Sequence, residues 1–251
     1  MIGNSLAMDG IDTEYLSEQG LSAYNLAIGG ASIKTSGVQL SEYLAQAERK
    51  PKVVLLGLSS CIDQDFDHSG INPIVDFTRN NHAYSWRDIP MIRFRWLAIA
   101  LLKKVVSPAH RDARVVAGQL KIKRRSVDRS NYSSKRPSIW SADSYRQSTM
   151  LNHVAQLCQS QDIPLIAIEM PGFKKTQNDI PLGPYSIDPA FQLYNFNNRH
   201  FCETFDAPTD WLGDNHLNEQ GARRFTEHLF EALSLQQYGV SNSDNLHFPT
   251  K

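Results

Sequence analysis

The sequence predicts an α/β fold with a parallel sheet. Two continuous apolar runs, residues 52–58 and 164–169, have the length of strands that are buried on both faces of a parallel sheet. Segments with helical spacing of apolar residues alternate with these runs, and this alternation is typical of α/β proteins. A chain of 251 residues with 41% hydrophobic residues is also long and apolar enough to bury the core of one domain.

The remaining elements follow from local pattern. Residues 7–19 and 36–48 are expected to be helices, and residues 23–28 a short strand that ends at Gly29 and Gly30. After the middle of the chain, the pattern predicts helices over 144–160, 189–203 and 218–233, with a proline-rich loop over 171–189. We therefore expect a single domain over residues 1–235, followed by a polar tail over residues 236–251.

Residues 62–143 interrupt this rhythm and are interpreted as a basic insertion or cap. Residues 86–136 hold 14 of the 26 Lys and Arg but 3 of the 26 Asp and Glu, although the whole chain has a formal net charge of zero. Residues 89–106 mix apolar and basic side chains, which suits either a cap helix over the site or contact with a membrane surface. Residues 121–125 could bind phosphates or an anionic glycan, but no nucleic-acid module accompanies them, which argues against sequence-specific nucleic-acid binding.

Other classes of protein are disfavoured by what the sequence lacks. Its three cysteines, Cys61, Cys158 and Cys202, form no CxxC pair, which argues against a disulfide framework or a structural zinc site. It holds no apolar run of about 18 residues and no secretory pattern, so we expect a soluble protein as the chain is written. Only Met1 and Ile2 precede the first motif, and an incomplete N-terminus would allow a membrane anchor or an extracytoplasmic location.

The first candidate for chemistry is Ser5, in the segment Gly3-Asn4-Ser5-Leu6 that precedes a predicted helix. A serine hydroxyl becomes a nucleophile when a base, a group that orients the base and donors for an oxyanion surround it. A tight turn at a helix N-terminus offers backbone N–H groups for negative charge. A serine at such a place is also a common N-cap, and the motif alone does not separate the two roles.

The second candidate is His216, which comes directly before the last predicted helix. A histidine in such a loop can reach the carboxyl ends of parallel strands, where the sites of α/β proteins lie. The alternative is a helix entry in which Asn218 is the N-cap and His216 is only exposed.

Taken together, these segments resemble the SGNH/GDSL hydrolase superfamily. Residues 3–6 are similar to its first block, residues 25–32 to its second and residues 216–222 to its last. The resemblance implies that Ser5 is the nucleophile, that His216 is the base and that the N–H groups of Ser5 and Gly30 belong to the oxyanion hole. It covers residues 1–60 and 144–233, and it implies a three-layer α/β/α sandwich with a parallel, flavodoxin-like sheet.

Three positions depart from the family pattern. Ser59 stands where the third block would have an asparagine, and its hydroxyl could donate one hydrogen bond to an oxyanion. Gly213 stands where the family has an aspartate, so Asp214 is expected to orient His216, with Asp210 or a backbone carbonyl as alternatives. Asn4 replaces a more familiar aspartate.

The resemblance implies a serine-dependent ester hydrolase or O-acyltransferase with an acyl-Ser5 intermediate, and it implies no metal or organic cofactor. A small-molecule or glycan ester, such as an acylated cell-envelope polymer, is the expected substrate. The alternative is a catalytically inactive SGNH-like domain that binds an anionic polymer or a membrane surface through its basic insertion. The sequence leaves hydrolysis against transfer open.

Overall fold

A computed structural model describes residues 1–59, 113–123, 142–172, 177–187, 191–212 and 216–238. Most of the predicted basic insertion, including residues 89–106, lies outside these ranges, as does the tail from residue 239. Within the described ranges, no helix is long and apolar enough to cross a bilayer.

The described elements alternate between strands and helices over much of the chain. In order they are β1 (Ile2–Gly3), α1 (Ser5–Gly10), α2 (Thr13–Glu18), α3 (Ile33–Gln46), β2 (Val54–Leu58), β3 (Ala113–Val116), β4 (Gln119–Ile122), α4 (Ala142–Gln147), α5 (Thr149–Gln159), β5 (Leu165–Glu169), β6 (Tyr185–Ser186), β7 (Phe191–Asn195), α6 (Arg199–Cys202), α7 (Ala207–Asp210) and α8 (Glu219–Ala232), and then a 3₁₀ turn (Leu235–Tyr238).

The main sheet has five strands in the order β1-β2-β5-β7-β6. Strands β1, β2, β5 and β7 run parallel, and β6 pairs antiparallel with β7 at one edge. Every residue of β2 and β5 is buried, as expected of central strands that are covered on both faces. The α/β class and the mostly parallel sheet predicted from the sequence are confirmed.

The predicted strand over residues 23–28 is an extended segment at the other edge of the sheet. Leu26 N donates to Met1 O over 2.8 Å, and Ile28 N donates to Gly3 O over 3.0 Å. These bonds place the segment beside β1, on the side opposite to β2, although it does not form a regular strand. The turn that follows is closed by a bond of 3.0 Å from Ala31 N to Ile28 O.

Helices cover both faces of the sheet, which is consistent with a three-layer α/β arrangement. On one face, α3 and α5 pack over a core that includes Leu56, Leu151 and Leu165. On the other face, α1 and α8 pack over a core that includes Ile168 and Phe225.

A close approach between α1 and β2 fixes the helix that carries Ser5. A Cβ added at Gly57 would lie 2.5 Å from Ala7 Cβ, so only glycine lets the helix sit this near to the strand. Ala7 is also fully buried, so the first turns of α1 pack directly against β2.

Several of the predicted elements differ from the structure. The helix expected over residues 144–160 is divided into α4 and α5 at the N-cap Ser148, and the loop expected over residues 171–189 contains the short strand β6. The helix expected over residues 7–19 is divided into α1 and α2, because Asp12 is an N-cap and begins a new helix at Thr13. The helix expected over residues 189–203 is wrong: residues Phe191–Asn195 form strand β7, and the helix is limited to Arg199–Cys202. Four of the five residues of β7 are buried beside β5, and that packing prevails over the helical spacing.

Candidate active site

Ser5 is the first residue of α1, at the carboxyl end of β1. Asn4, not Ser5, is the N-cap of this helix, and its Oδ1 accepts a hydrogen bond of 3.0 Å from Leu6 N. The N-cap role that we considered for Ser5 is therefore wrong. The Ser5 hydroxyl is instead 3.5 Å from His216 Nε2.

The loop that carries His216 is pinned to the residues before it. Leu212 N donates to His216 O over 2.7 Å, and Trp211 forms an antiparallel bridge with Leu217. Asn218 is the N-cap of α8, with bonds of 3.0 Å from Gln220 N and Gly221 N to its Oδ1. Asn218 thus has the capping role that we considered, and His216 lies against Ser5 as well.

Asp9 is the acidic partner of His216, and the sequence analysis did not identify it. Its Oδ2 lies 2.7 Å from His216 Nδ1, and its side chain is 7% exposed. A carboxylate accepts but does not donate, so Nδ1 holds a hydrogen and Nε2 is left to accept the Ser5 proton. The described residues thus form a chain from Ser5 through His216 to Asp9, which is the arrangement that activates a serine.

The spacing of Ser5 and Asp9 could have revealed this partner. Residues four apart on a helix lie on the same face, so a carboxylate one turn after the candidate nucleophile was within reach of the same histidine. The aspartates named in the sequence analysis, Asp210 and Asp214, are instead close to His216 in sequence. Proximity along α1 was the more informative signal.

Of the two aspartates that the sequence suggests as partners of His216, only Asp210 lies among the described residues. Asp210 is fully buried and ion-paired with Arg224, and its Oδ2 also accepts a bond of 2.8 Å from Asp206 N. It therefore stabilises the loop before α8 and is not the partner of His216. Asp214 lies outside the described residues, and its role stays a prediction.

The Gly29-Gly30 turn lies next to Ser5. A Cβ added at Gly29 would be 3.9 Å from Ser5 Cβ, so this turn borders the Ser5 side chain. Gly30 has a φ of 78°, which is in the left-handed region that favours glycine. The turn that holds the predicted oxyanion residue Gly30 is thus beside Ser5.

Ser59 follows β2 and makes a direct contact with Asn4. Asn4 Nδ2 donates to Ser59 Oγ over 3.0 Å. This bond occupies a lone pair of the hydroxyl and leaves its hydrogen available to an oxyanion. An aspartate at position 4 could accept from Leu6 N but could not donate to Ser59, so the two unusual residues of the motif form a matched pair.

One lysine of the basic segment, Lys121, is buried and ion-paired. Lys121 has a side chain that is 2% exposed, and its Nζ lies 2.9 Å from Asp12 Oδ1 and 2.7 Å from Glu14 Oε2. The hydrogen bond and charge of Lys121 hold the pKa of Glu14 below its ordinary value. The prediction that Lys121 binds phosphates is therefore wrong. Lys123 is exposed, and Arg124 and Arg125 lie outside the described residues.

No described cluster of three or more His, Cys, Asp or Glu side chains is arranged to hold a metal ion. Comparisons of the chain with protein-family models, with curated proteins and with solved structures gave no match.

Proposed function

We propose that this protein is a serine esterase or O-acyltransferase of the SGNH type, which acts through an acyl-Ser5 intermediate. The observation that carries the proposal is the set of contacts from Ser5 to His216 to Asp9, with 3.5 Å from Oγ to Nε2 and 2.7 Å from Nδ1 to Oδ2. These residues come from the first turns of the chain and from the loop before its last helix. Each imidazole nitrogen of His216 thus faces a group with which it can share a hydrogen.

In the first half-reaction, Ser5 Oγ attacks the acyl carbon of an ester. His216 Nε2 takes the hydroxyl proton, and Asp9 stabilises the imidazolium that forms. The Ser5 and Gly30 N–H groups and the Ser59 hydroxyl are the proposed donors to the oxyanion. The alcohol then leaves with the proton held by His216, and the acyl group stays on Ser5.

In the second half-reaction, an acceptor hydroxyl attacks the acyl-Ser5 carbonyl. His216 removes the proton of the acceptor and returns it to Ser5 Oγ as the acyl bond breaks. Water as acceptor gives hydrolysis, and a sugar hydroxyl gives O-acyl transfer. An acylated glycan or cell-envelope polymer is the substrate class that we propose.

The topology supports the SGNH assignment at the level of chain order. The segment over residues 24–28, β1, β2, β5 and β7 lie side by side in that order and point the same way along the sheet. This is the order of a flavodoxin-like sheet, with Ser5, Ser59 and the Gly29-Gly30 turn at the carboxyl ends of adjacent elements.

Labelling with a fluorophosphonate probe tests the proposal, because such probes modify activated serines. We expect the folded protein to be labelled at Ser5, and labelling to be lost in the Ser5→Ala and His216→Gln variants. Ser160→Ala is the matched control, since Ser160 is exposed and bonds only locally to Leu157 O. A folded protein that stays unlabelled where a control hydrolase reacts would contradict the proposal and favour the inactive binding domain.

A further inference from the structure

The hairpin formed by β3 and β4 docks on the break between α1 and α2. In an unbroken helix, Thr13 N would donate to Asp9 O, but α1 ends at Gly10 and this bond is absent. Gln119 takes the place of both partners: its Oε1 accepts from Thr13 N over 3.2 Å, and its Nε2 donates to Asp9 O over 3.4 Å. The amide of Gln119 therefore bridges the broken step of the helical ladder.

Other contacts show that this docking is a built interface. Gln119 is fully buried, and Thr13 Oγ1 donates to Val116 O over 2.9 Å. The ion pair of Lys121 with Asp12 lies beside these bonds and is also buried. The hairpin is thus held to the helix break by backbone, amide and charged groups together.

The same hairpin reaches the helix that follows His216. Arg114 on β3 bonds to Glu219, the first residue of α8. From the other side, Asp12 N donates to Thr226 Oγ1 of α8 over 2.7 Å. The helix break therefore packs between β4 and α8. These contacts fix the position of α1 relative to α8, the helix that begins beside His216.

The carboxylate of Asp9 is bonded through one of its two oxygens. Its Oδ2 bonds to His216, but its buried Oδ1 has no partner among the described residues. The bond to His216 thus holds Oδ2, whereas no bond to a described residue holds Oδ1. The orientation of the carboxylate therefore also depends on where the backbone places Asp9. Gln119 acts on the carbonyl of that same residue.

We propose that the β3–β4 hairpin is a positioning element of the active site, and that Gln119 is the residue through which it sets the Asp9 carboxylate against His216. The inference rests on the proposed function, because it assigns the hairpin of the basic insertion to the same Ser5–His216–Asp9 site. It makes part of the insertion a component of the catalytic geometry.

Two substitutions at Gln119 test this role with different severity. Gln119→Met keeps the length of the side chain and removes both bonds, whereas Gln119→Glu keeps the acceptor for Thr13 N and loses the donor to Asp9 O. We expect the fluorophosphonate labelling rate of Ser5 to fall about tenfold in Gln119→Met, since small displacements of catalytic groups are costly. We expect a larger fall in Gln119→Glu, because its second carboxylate oxygen would be buried against the carbonyl oxygen of Asp9. Val115→Thr is the control, because Val115 is on the same hairpin and is 69% exposed.

A spectroscopic measurement separates positioning from general stability. The Nδ1–H proton of His216, assigned with the His216→Gln variant, should shift or broaden in both Gln119 variants but not in Val115→Thr. Circular dichroism selects variants that are folded at the measuring temperature. Folded Gln119 variants with an unchanged His216 resonance and a labelling rate within about a factor of two of the wild type would overturn the inference. If the wild type is not labelled at all, the proposed function fails, and the His216 resonance still decides whether Gln119 positions Asp9.

Discussion

Replacing Glu169 with glutamine is expected to remove a pH dependence from the stability of the fold. Glu169 ends the central strand β5 between Leu58 of β2 and Asn195 of β7, and its side chain is fully buried. Tyr145 donates to Oε2 over 2.7 Å, while Oε1 has no partner among the described residues. Burial raises the pKa of Glu169 from an ordinary value of 4.5 to about 7, against the smaller opposing effect of the Tyr145 bond.

The size of the effect follows from this pKa. Between pH 4.5 and about 7, the folded protein keeps a proton on Glu169 that the unfolded chain releases. The unfolded state therefore binds fewer protons, and the free energy of unfolding falls as the pH rises through this window. Each tenfold difference in proton affinity between the folded and the unfolded state corresponds to about 1.4 kcal/mol. The free energy of unfolding is therefore lower by about 3 kcal/mol above pH 7 than below pH 4.5.

Urea denaturation of the wild type and of Glu169→Gln, at several pH values from below to above this window, measures the effect. Glutamine resembles the protonated acid and does not titrate. The free energy of unfolding of Glu169→Gln, relative to the wild type, should rise by about 3 kcal/mol across the window. Tyr145→Phe is a useful companion, because loss of the bond to the carboxylate should extend the fall in stability to higher pH. A difference between Glu169→Gln and the wild type that stays constant with pH would refute the reasoning.

Three further predictions concern the site and its support. Asp9→Asn should lower turnover by about 10³- to 10⁴-fold, because it disturbs the tautomer of His216. Asp214→Asn, measured with the same ester substrate, should show whether that residue contributes. Equal activity of Asp9→Asn and the wild type would remove Asp9 from the mechanism. Lys121→Met should reduce the free energy of unfolding in a urea titration by about 3 to 5 kcal/mol, because it leaves Asp12 buried without its cation. Lys123 is exposed, so Lys123→Met should change this free energy by less than about 0.5 kcal/mol in the same titration. Gly30→Ala should slow the labelling of Ser5 more than Gly29→Ala does, since Gly30 has a φ of 78° whereas a Cβ at Gly29 would make ordinary contacts. Equal labelling rates for the two variants would argue against a role for the turn.

The central strands were predictable because their apolar runs are short and continuous. Burial on both faces leaves few polar residues in β2 and β5, and this composition is visible without any knowledge of partners. Strand β7 was not predictable in the same way. Its residues gain their packing from β5 and from the chain after Asn195, and such contacts between distant segments do not show in local spacing.

The contact between Ser5 and His216 joins two residues that stood out from their local settings, a turn before one helix and a loop before another. Their acidic partner was missed because Asp9 is 207 positions from His216 in the chain. Only the helical spacing from Ser5 connects them. The carboxylates nearer to His216 in sequence were the more obvious candidates, but Asp210 is already neutralised by Arg224.

The role of Lys121 could not be derived from composition. A run of basic residues is usually solvated, and nothing near Lys121 in sequence indicates burial. Its partners, Asp12 and Glu14, precede it by more than 100 positions, and the fold brings them together only when the hairpin docks on the helix break.

Mass spectrometry of the protein after rapid acid quench from a reactive ester tests the central claim most directly. With p-nitrophenyl acetate as the ester, we expect an acetyl group on the peptide that contains Ser5, and we expect it to disappear in Ser5→Ala and to form more slowly in Asp9→Asn. The Ser160→Ala variant should acquire the same acetyl group as the wild type. If the folded wild type carries no acyl group on Ser5, or if the Ser5→Ala variant is acetylated to the same extent, the account of Ser5 as a nucleophile is contradicted.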